Sequence, residues 1–219
     1  MLKFLVVILL SLFVYEGFPQ TGGDTLSTSV LKRLSLEELM NIDITIVSKR
    51  PQQLFDAPAS VYVIQGDDIK RSGVKRIPEA LRMAANMQVA QTDAIQWAIS
   101  TRGFNSALAN KLLVLIDGRS VYSPLFAGVF WDMQNVFLED VDRVEVIGGP
   151  GAALWGANAV NGIINIVSKN ARDTKGLYVE GGGGTELKGF GGIRYGGSLA
   201  SDLHYRAYGL YSSRDGTVS

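Results

Sequence analysis

Val141-Asp-Arg-Val-Glu-Val-Ile-Gly-Gly-Pro-Gly-Ala-Ala-Leu-Trp-Gly-Ala-Asn-Ala-Val-Asn-Gly-Ile-Ile-Asn-Ile-Val-Ser168 is the stretch whose reading decides the fold. Asp142, Val144 and Val146 alternate with Arg143, Glu145 and Ile147, the period-two pattern of a strand with two unlike faces. Gly148-Gly149-Pro150-Gly151 then stops any regular element. Glycine opens backbone angles closed to other residues, and proline removes a donor and fixes φ. After Trp155-Gly156 the chain enters a second β-branched run over residues 163–167. The stretch predicts strand, glycine turn, short irregular segment, strand. A glycine cluster after a strand can also cradle phosphate. Here no Gly-x-x-x-x-Gly-Lys-Ser/Thr occurs, and no Gly-x-Gly-x-x-Gly leads into a long helix.

Composition narrows the class. The chain has 219 residues, long enough for one or two domains with a proper core. Its 21 basic and 21 acidic residues cancel, and its basic residues form no runs, which argues against a nucleic-acid surface. It has no cysteine, so disulfides and thiolate metal sites are excluded. At the N-terminus Lys3 precedes an apolar run over residues 4–14, too short to cross a bilayer as a helix but suited to a secretory signal. Residues 1–20 are therefore expected to be a signal peptide; a core helix or an uncleaved anchor is the alternative.

Further elements follow in chain order. Ser35 and Glu38 fit a capping box for a short helix. Ile42, Ile44 and Ile46 alternate with Asp43, Thr45 and Val47, which predicts an extended segment. Prolines 51 and 58 bound a linker, and residues 60–64 read as a strand. Gly66-Asp67-Asp68 offers a cap for a helix ending near Gly73. Pro78 suits the first turn of a second helix, with Ile77, Leu81 and Ala84 or Ala85 facing inward and Asn86 left-handed at its exit. Asp117-Gly118 between two apolar runs is a hairpin signal. Residues 91–96 form a polar loop ending at Trp97, and residues 123–135 a long one carrying Phe126, Phe130 and Trp131. From Leu177 the texture changes to weakly alternating segments between glycine or polar turns. Leu203, Tyr205, Ala207, Gly209 and Tyr211 are expected on one face, and His204, Arg206, Tyr208 and Leu210 on the other. Transmembrane β-barrel strands look like this, and a soluble meander does too.

Catalytic patterns are lacking. No Gly-x-Ser-x-Gly occurs, and the one histidine, His204, lies in the glycine-rich tail, so a Ser-His-Asp triad is not expected. Asp67-Asp68 sits at a helix start, where it complements the dipole. Neither an enzyme nor a bound metal or cofactor is expected.

The opening stretch resembles the end of the plug domain of TonB-dependent outer-membrane receptors. The resemblance lies in Asp142-Arg143-Val144-Glu145-Val146, Gly149-Pro150, Trp155-Gly156, Ala159 and Gly162-Ile163-Ile164-Asn165-Ile166. Ile99-Ser-Thr-Arg102-Gly103-Phe104 and Leu113-Val-Leu-Ile-Asp-Gly-Arg119 extend it. Two departures stand out: Gly148 replaces the usual arginine before Gly-Pro, and Ala85-Asn86 replaces Pro-Gly after the second helix. The implied fold class is α+β: a small mixed-sheet plug domain with short helices, followed by the beginning of an antiparallel transmembrane β-barrel. The implied domains are the signal peptide, a periplasmic extension over 21–50, the plug over 51–171 and first barrel strands over 176–219. A barrel of about 22 strands needs over 200 residues, so the chain is expected to be the N-terminal piece of a longer receptor.

That resemblance implies energy-coupled uptake of a scarce nutrient, a ferric siderophore first and cobalamin as the alternative. The implied partner is the TonB energy transducer of the TonB-ExbB-ExbD complex, with no nucleic acid, and the implied location is the cell outer membrane. Ile44, Thr45, Ile46, Val47 and Ser48 correspond to the TonB box, a free edge able to pair with a partner strand; a strand inside the plug sheet is the bland alternative. Candidate ligand residues are Gln96, Trp97, Tyr122, Phe126, Phe130 and Trp131, though these aromatics can equally pack the plug. Candidate plug-to-barrel contacts are Arg102, Arg119, Arg143 and Glu145; ordinary charges at strand ends are the alternative. The rival from another class is a free-standing periplasmic binding or adaptor domain.

Overall fold

The computed structural model describes residues 43–44, 52–53, 60–103, 105–106, 111–125, 127–149, 155–156 and 158–216. The expected signal peptide and capping-box helix, most of the proline-bounded stretch, and Thr45, Ile46, Val47, Ser48 and Phe126 lie outside them.

The centre is a five-stranded mixed sheet of order β3-β8-β9-β6-β7. Its strands are β3 (Ser60–Gln65), β6 (Leu112–Ile116), β7 (Arg119–Ser120), β8 (Val141–Gly148) and β9 (Gly162–Ser168). The stretch that opens the sequence argument thus forms two central neighbours: β8 and β9 pair antiparallel, and β9 runs parallel to β6. One face carries Val144, Val146, Ile164, Ile166 and Val114 against the helices α1 (Gly66–Ser72) and α2 (Ile77–Ala80). The other carries Ile147, Ile163, Leu113 and Leu115 beside Ala159. Strands covered on both sides read as continuous apolar runs, and β6 and β9 do.

On β8 both of the two unlike faces are covered. Glu145 is fully buried, with Arg143 Nε 2.9 Å from its Oε1 and Asn165 Nδ2 3.4 Å from its Oε2. The alternation is present, but its charged side is closed by an internal ion pair rather than by solvent.

Local chemistry sets the connections. Asp117 and Gly118 both take positive φ, the geometry that turns β6 back into β7. Asp117 also accepts from the backbone N–H (2.8 Å) and hydroxyl (3.0 Å) of Ser168, tying the hairpin to the end of β9. Helix α1 ends at left-handed Gly73, as expected, with Asp67 and Asp68 in its first turn; its N-cap is Gln65, with no side-chain cap bond. Pro78 lies in the first turn of α2, and Ile77, Leu81 and Ala84 are buried. Asn86 does not adopt the left-handed exit. The helix tightens into a 3-10 turn over Leu81–Met83, and extended Ala84 ends it. A separate hairpin joins β4 (Met87–Gln91) to β5 (Trp97–Thr101), its turn held by Asp93 accepting from the N–H groups of Ile95 and Gln96. The loop over 123–135 is folded, with a Ser123–Gly128 bridge and a 3-10 turn over Trp131–Met133.

Two short strands, β1 (Asp43–Ile44) and β2 (Gln52–Gln53), pair antiparallel. The glycine-rich tail forms a three-stranded antiparallel sheet of β10 (Gly176–Gly182), β11 (Gly189–Ser198) and β12 (His204–Ser213). Its register puts Leu177 opposite Tyr195, Val179 opposite Ile193 and Gly197 opposite Tyr205. Direct partners share a face, so Leu177, Val179, Ile193, Tyr195, Tyr205 and Tyr211 form one exposed apolar face. Tyr178, Glu180, Arg194 and Arg206 lie on the other, which meets the mixed-sheet unit.

Candidate functional site

The two sheets meet at a short turn. Phe137 precedes a 3-10 turn, Leu138–Asp140, and period three places residues 137 and 140 on the same side. Phe137 is 1 % exposed. Its ring meets Tyr178 edge-on at 5.7 Å and Tyr208 in a tilted contact at 5.7 Å. Asp140 Oδ1 accepts from Arg194 Nη1 at 2.7 Å, and its Oδ2 lies 3.4 Å from Arg206 Nε. Arg194 in turn leans over the Tyr178 ring at 5.4 Å. Arg206 donates to the Lys169 carbonyl (3.0 Å) and to Ser168 Oγ (3.3 Å), the hydroxyl already bonded to Asp117.

Burial ranks these contacts. The Arg71–Asp68 pair is about half exposed on both partners, a class worth at most about 1 kcal/mol. The Asp140 cluster is 3 %, 11 % and 16 % exposed at its three side chains, and removing one partner of such a cluster costs about 3–5 kcal/mol.

Two more charged pairs cross the same interface. Arg214 Nη2 donates to Glu79 Oε1 at 3.1 Å, and Lys75 Nζ stands 3.7 Å from Glu180. Between them lies a cavity of about 330 Å³ lined by Lys75, Arg76, Trp131, Phe190, Leu210 and Arg214, among others. Burial, and then the neighbouring Arg214 charge, lowers the Arg76 pKa from its ordinary value. Outside the cavity, the hydrogen bond to Glu139 raises the Lys70 pKa. A second, more open groove runs between residues 91–94 of the β4–β5 hairpin and residues 185–186 and 214–216.

The candidate ligand residues do not converge on one cavity. Trp131 lines the first and is 7 % exposed. Trp97 is 3 % exposed in the main core, where Arg82 stacks over its ring at 5.3 Å, a placement that favours packing. Gln96 is exposed at the hairpin turn, and Tyr122 and Phe130 are half-buried. Among the candidate barrel contacts, Arg119 is exposed on β7, while Arg143 and Glu145 pair with each other. Arg102 is left-handed (φ 58°) and donates to the Gly148 carbonyl at 3.0 Å. Described side-chain contacts to β10–β12 come from Phe137, Asp140, Ser168, Lys169 and Lys75, and Glu79 meets Arg214 just past β12; these pairings join residues far apart along the chain, where sequence patterns give no signal.

Both departures from the plug pattern meet at one place. A Cβ on Gly148 would stand 2.5 Å from Asn86 Nδ2, so the Asn86 amide fills the space that a side chain at 148 would claim.

Residues 53–163 match the family model described as TonB-dependent Receptor Plug Domain. The chain belongs to that plug-domain family. The matched residues take in β3 to β8 and the start of β9, and β10–β12 follow them. The vitamin B12 transporter BtuB of Vibrio vulnificus is 31% identical over 159 residues, covering 71% of this chain and 25% of that protein. The rhizobactin receptor of Rhizobium meliloti is 29% identical over 151 residues, covering 68% of this chain and 19% of that receptor. The ferripyoverdine receptor of the outer membrane of Pseudomonas aeruginosa has a TM-score of 0.62 at 21% identity over 79% of this chain and 22% of that one, which shows the shared fold. The chain spans about a quarter of the length of the curated relatives it matches. These relatives are named as transporters and receptors rather than enzymes.

Proposed function

We propose that this chain is the plug and first wall strands of an outer-membrane receptor for energy-coupled uptake of a scarce nutrient, without catalytic activity of its own. One observation carries the reading: β10–β12 turn an apolar face outward and a charged face toward the plug. Tyr195 and Tyr205 pair on the outward face at 6.2 Å. A strand sheet that is apolar outside and polar inside is what a barrel wall in lipid requires. A free-standing periplasmic domain would leave that apolar face in water.

The ligand we assign is a ferric siderophore, in keeping with the rhizobactin receptor among the relatives. Cobalamin is the second reading, favoured by the vitamin B12 transporters at 27–31% identity. Coupling would run through residues 44–48, pairing as an added strand with the TonB transducer of the TonB-ExbB-ExbD complex. The first export step would use residues 1–20 as signal peptide. The test is growth rescue by the full receptor in a host stripped of its own receptors, on a panel of iron chelates and cobalamin. Rescue by one ligand assigns the substrate, and rescue by none removes the proposal.

A further inference from the structure

Arg76 is a half-buried cation that forms no ion pair among the described residues. Its hydrogen bond, from Nη1 to the Ala94 carbonyl, is long at 3.5 Å. Burial is the largest cause of its lowered pKa and the Arg214 charge the next; Glu79 and Asp132 act the other way and offset them only in part. The nearby carboxylates are engaged or exposed. Glu79 accepts from Arg214 Nη2 at 3.1 Å and from the Lys75 backbone N–H at 2.8 Å, Glu180 faces Lys75 Nζ at 3.7 Å, and Asp132 is exposed. Arg214 is incomplete in its own way. Its side chain is 13 % exposed, yet its Nε is buried without a hydrogen-bond partner among the described residues. A buried donor on a charged group is costly to leave unmet.

Both guanidinium groups line the cavity of about 330 Å³, a volume at the lower end of small-molecule sites. Three cations, Lys75, Arg76 and Arg214, face two carboxylates there, and Trp131, Leu187, Phe190 and Leu210 supply apolar wall. Arg214 also lines the open groove beside residues 91–94, so it stands where the two spaces adjoin. The planar fork of a guanidinium matches the oxygens of a carboxylate or phosphate. Such a group would give Arg76 a counter-ion and Arg214 Nε an acceptor, neither of which the described residues supply.

We propose that this cavity binds a small compound bearing a carboxylate or phosphate group, held between Arg76 and Arg214 with its apolar part against Trp131 and Phe190. The group has two possible sources. It is an arm of the transported ligand, which rests on the transport reading above, or it belongs to a free solute.

The probes are benzoate and inorganic phosphate, titrated calorimetrically into the full receptor, with chloride at matched ionic strength as the control. Saturable binding of at least one is expected, weakened at least about tenfold by Arg76→Gln. Arg214→Lys keeps a cation for Glu79 but loses Nε, and is expected to weaken binding as well. The unliganded Arg76→Gln receptor is expected to unfold at no lower a temperature than the parent, because the folded chain sheds a half-buried charge that it does not pair. Absence of saturable binding of both anions overturns the inference. So does binding unchanged by Arg76→Gln. An Arg76→Gln receptor that already unfolds at lower temperature without ligand marks Arg76 as a structural residue and overturns it too. The ligand that rescues growth then separates the sources. Affinity for it lost in Arg76→Gln assigns the group to the ligand's own arm; affinity retained while the probe is lost assigns it to a free solute. Probe binding with rescue by no ligand supports the site while removing the transport reading.

Discussion

At position 148 the family pattern calls for an arginine, and this chain has none. Its absence is matched by a gain at 86, where an asparagine stands in place of glycine and turns its amide into the vacated space, with its Oδ1 buried and without a hydrogen-bond partner among the described residues. Arg102 lies beside this pair, over the Gly148 carbonyl. The two positions are therefore coupled. Gly148→Ala is expected to cost about 1–2 kcal/mol of plug stability by overpacking, and most of that cost should vanish in a background carrying Asn86→Ala. Denaturation midpoints of the four receptors of this double-mutant cycle check it; strictly additive effects would show that the sites are independent. The aromatic candidates show the limit of residue type as a signal. Trp97 looks like a loop anchor in sequence, yet it begins β5 and faces the core.

At the scale of elements, what was legible was local. Asp117-Gly118 announces its hairpin because the turn requires positive φ at two adjacent residues. Residues 203–211 announce β12 because alternation is a property of one strand. The Phe137–Asp140 turn announced nothing, since Arg194 lies 54 residues beyond Asp140 and its pairing exists only after two sheets have formed. β8 shows the same limit: alternation shows that two faces differ, not what covers them. That buried pair makes an element-level prediction. Arg143→Leu removes a charge partner from fully buried Glu145 and should cost about 3–5 kcal/mol, whereas Arg143→Leu with Glu145→Leu should recover most of it. Thermal unfolding of the full receptor reads the difference; a double variant as unstable as the single would show that the ion pair is not what matters in β8.

At the scale of the molecule, a mixed-sheet plug is followed by strands with an apolar outer face, and the proposed coupling segment, residues 44–48, precedes the plug. Work delivered at that segment would have to reach a plug held to β10–β12 by the buried Asp140–Arg194–Arg206 cluster. The most direct measurement is uptake of the rescuing ligand by cells bearing the full receptor, with and without the TonB transducer, and with Val47→Pro, which breaks strand pairing at the coupling segment. The account predicts undiminished surface binding in all three, with uptake lost when the transducer is deleted and lost again in Val47→Pro. Uptake that continues without the transducer would contradict it.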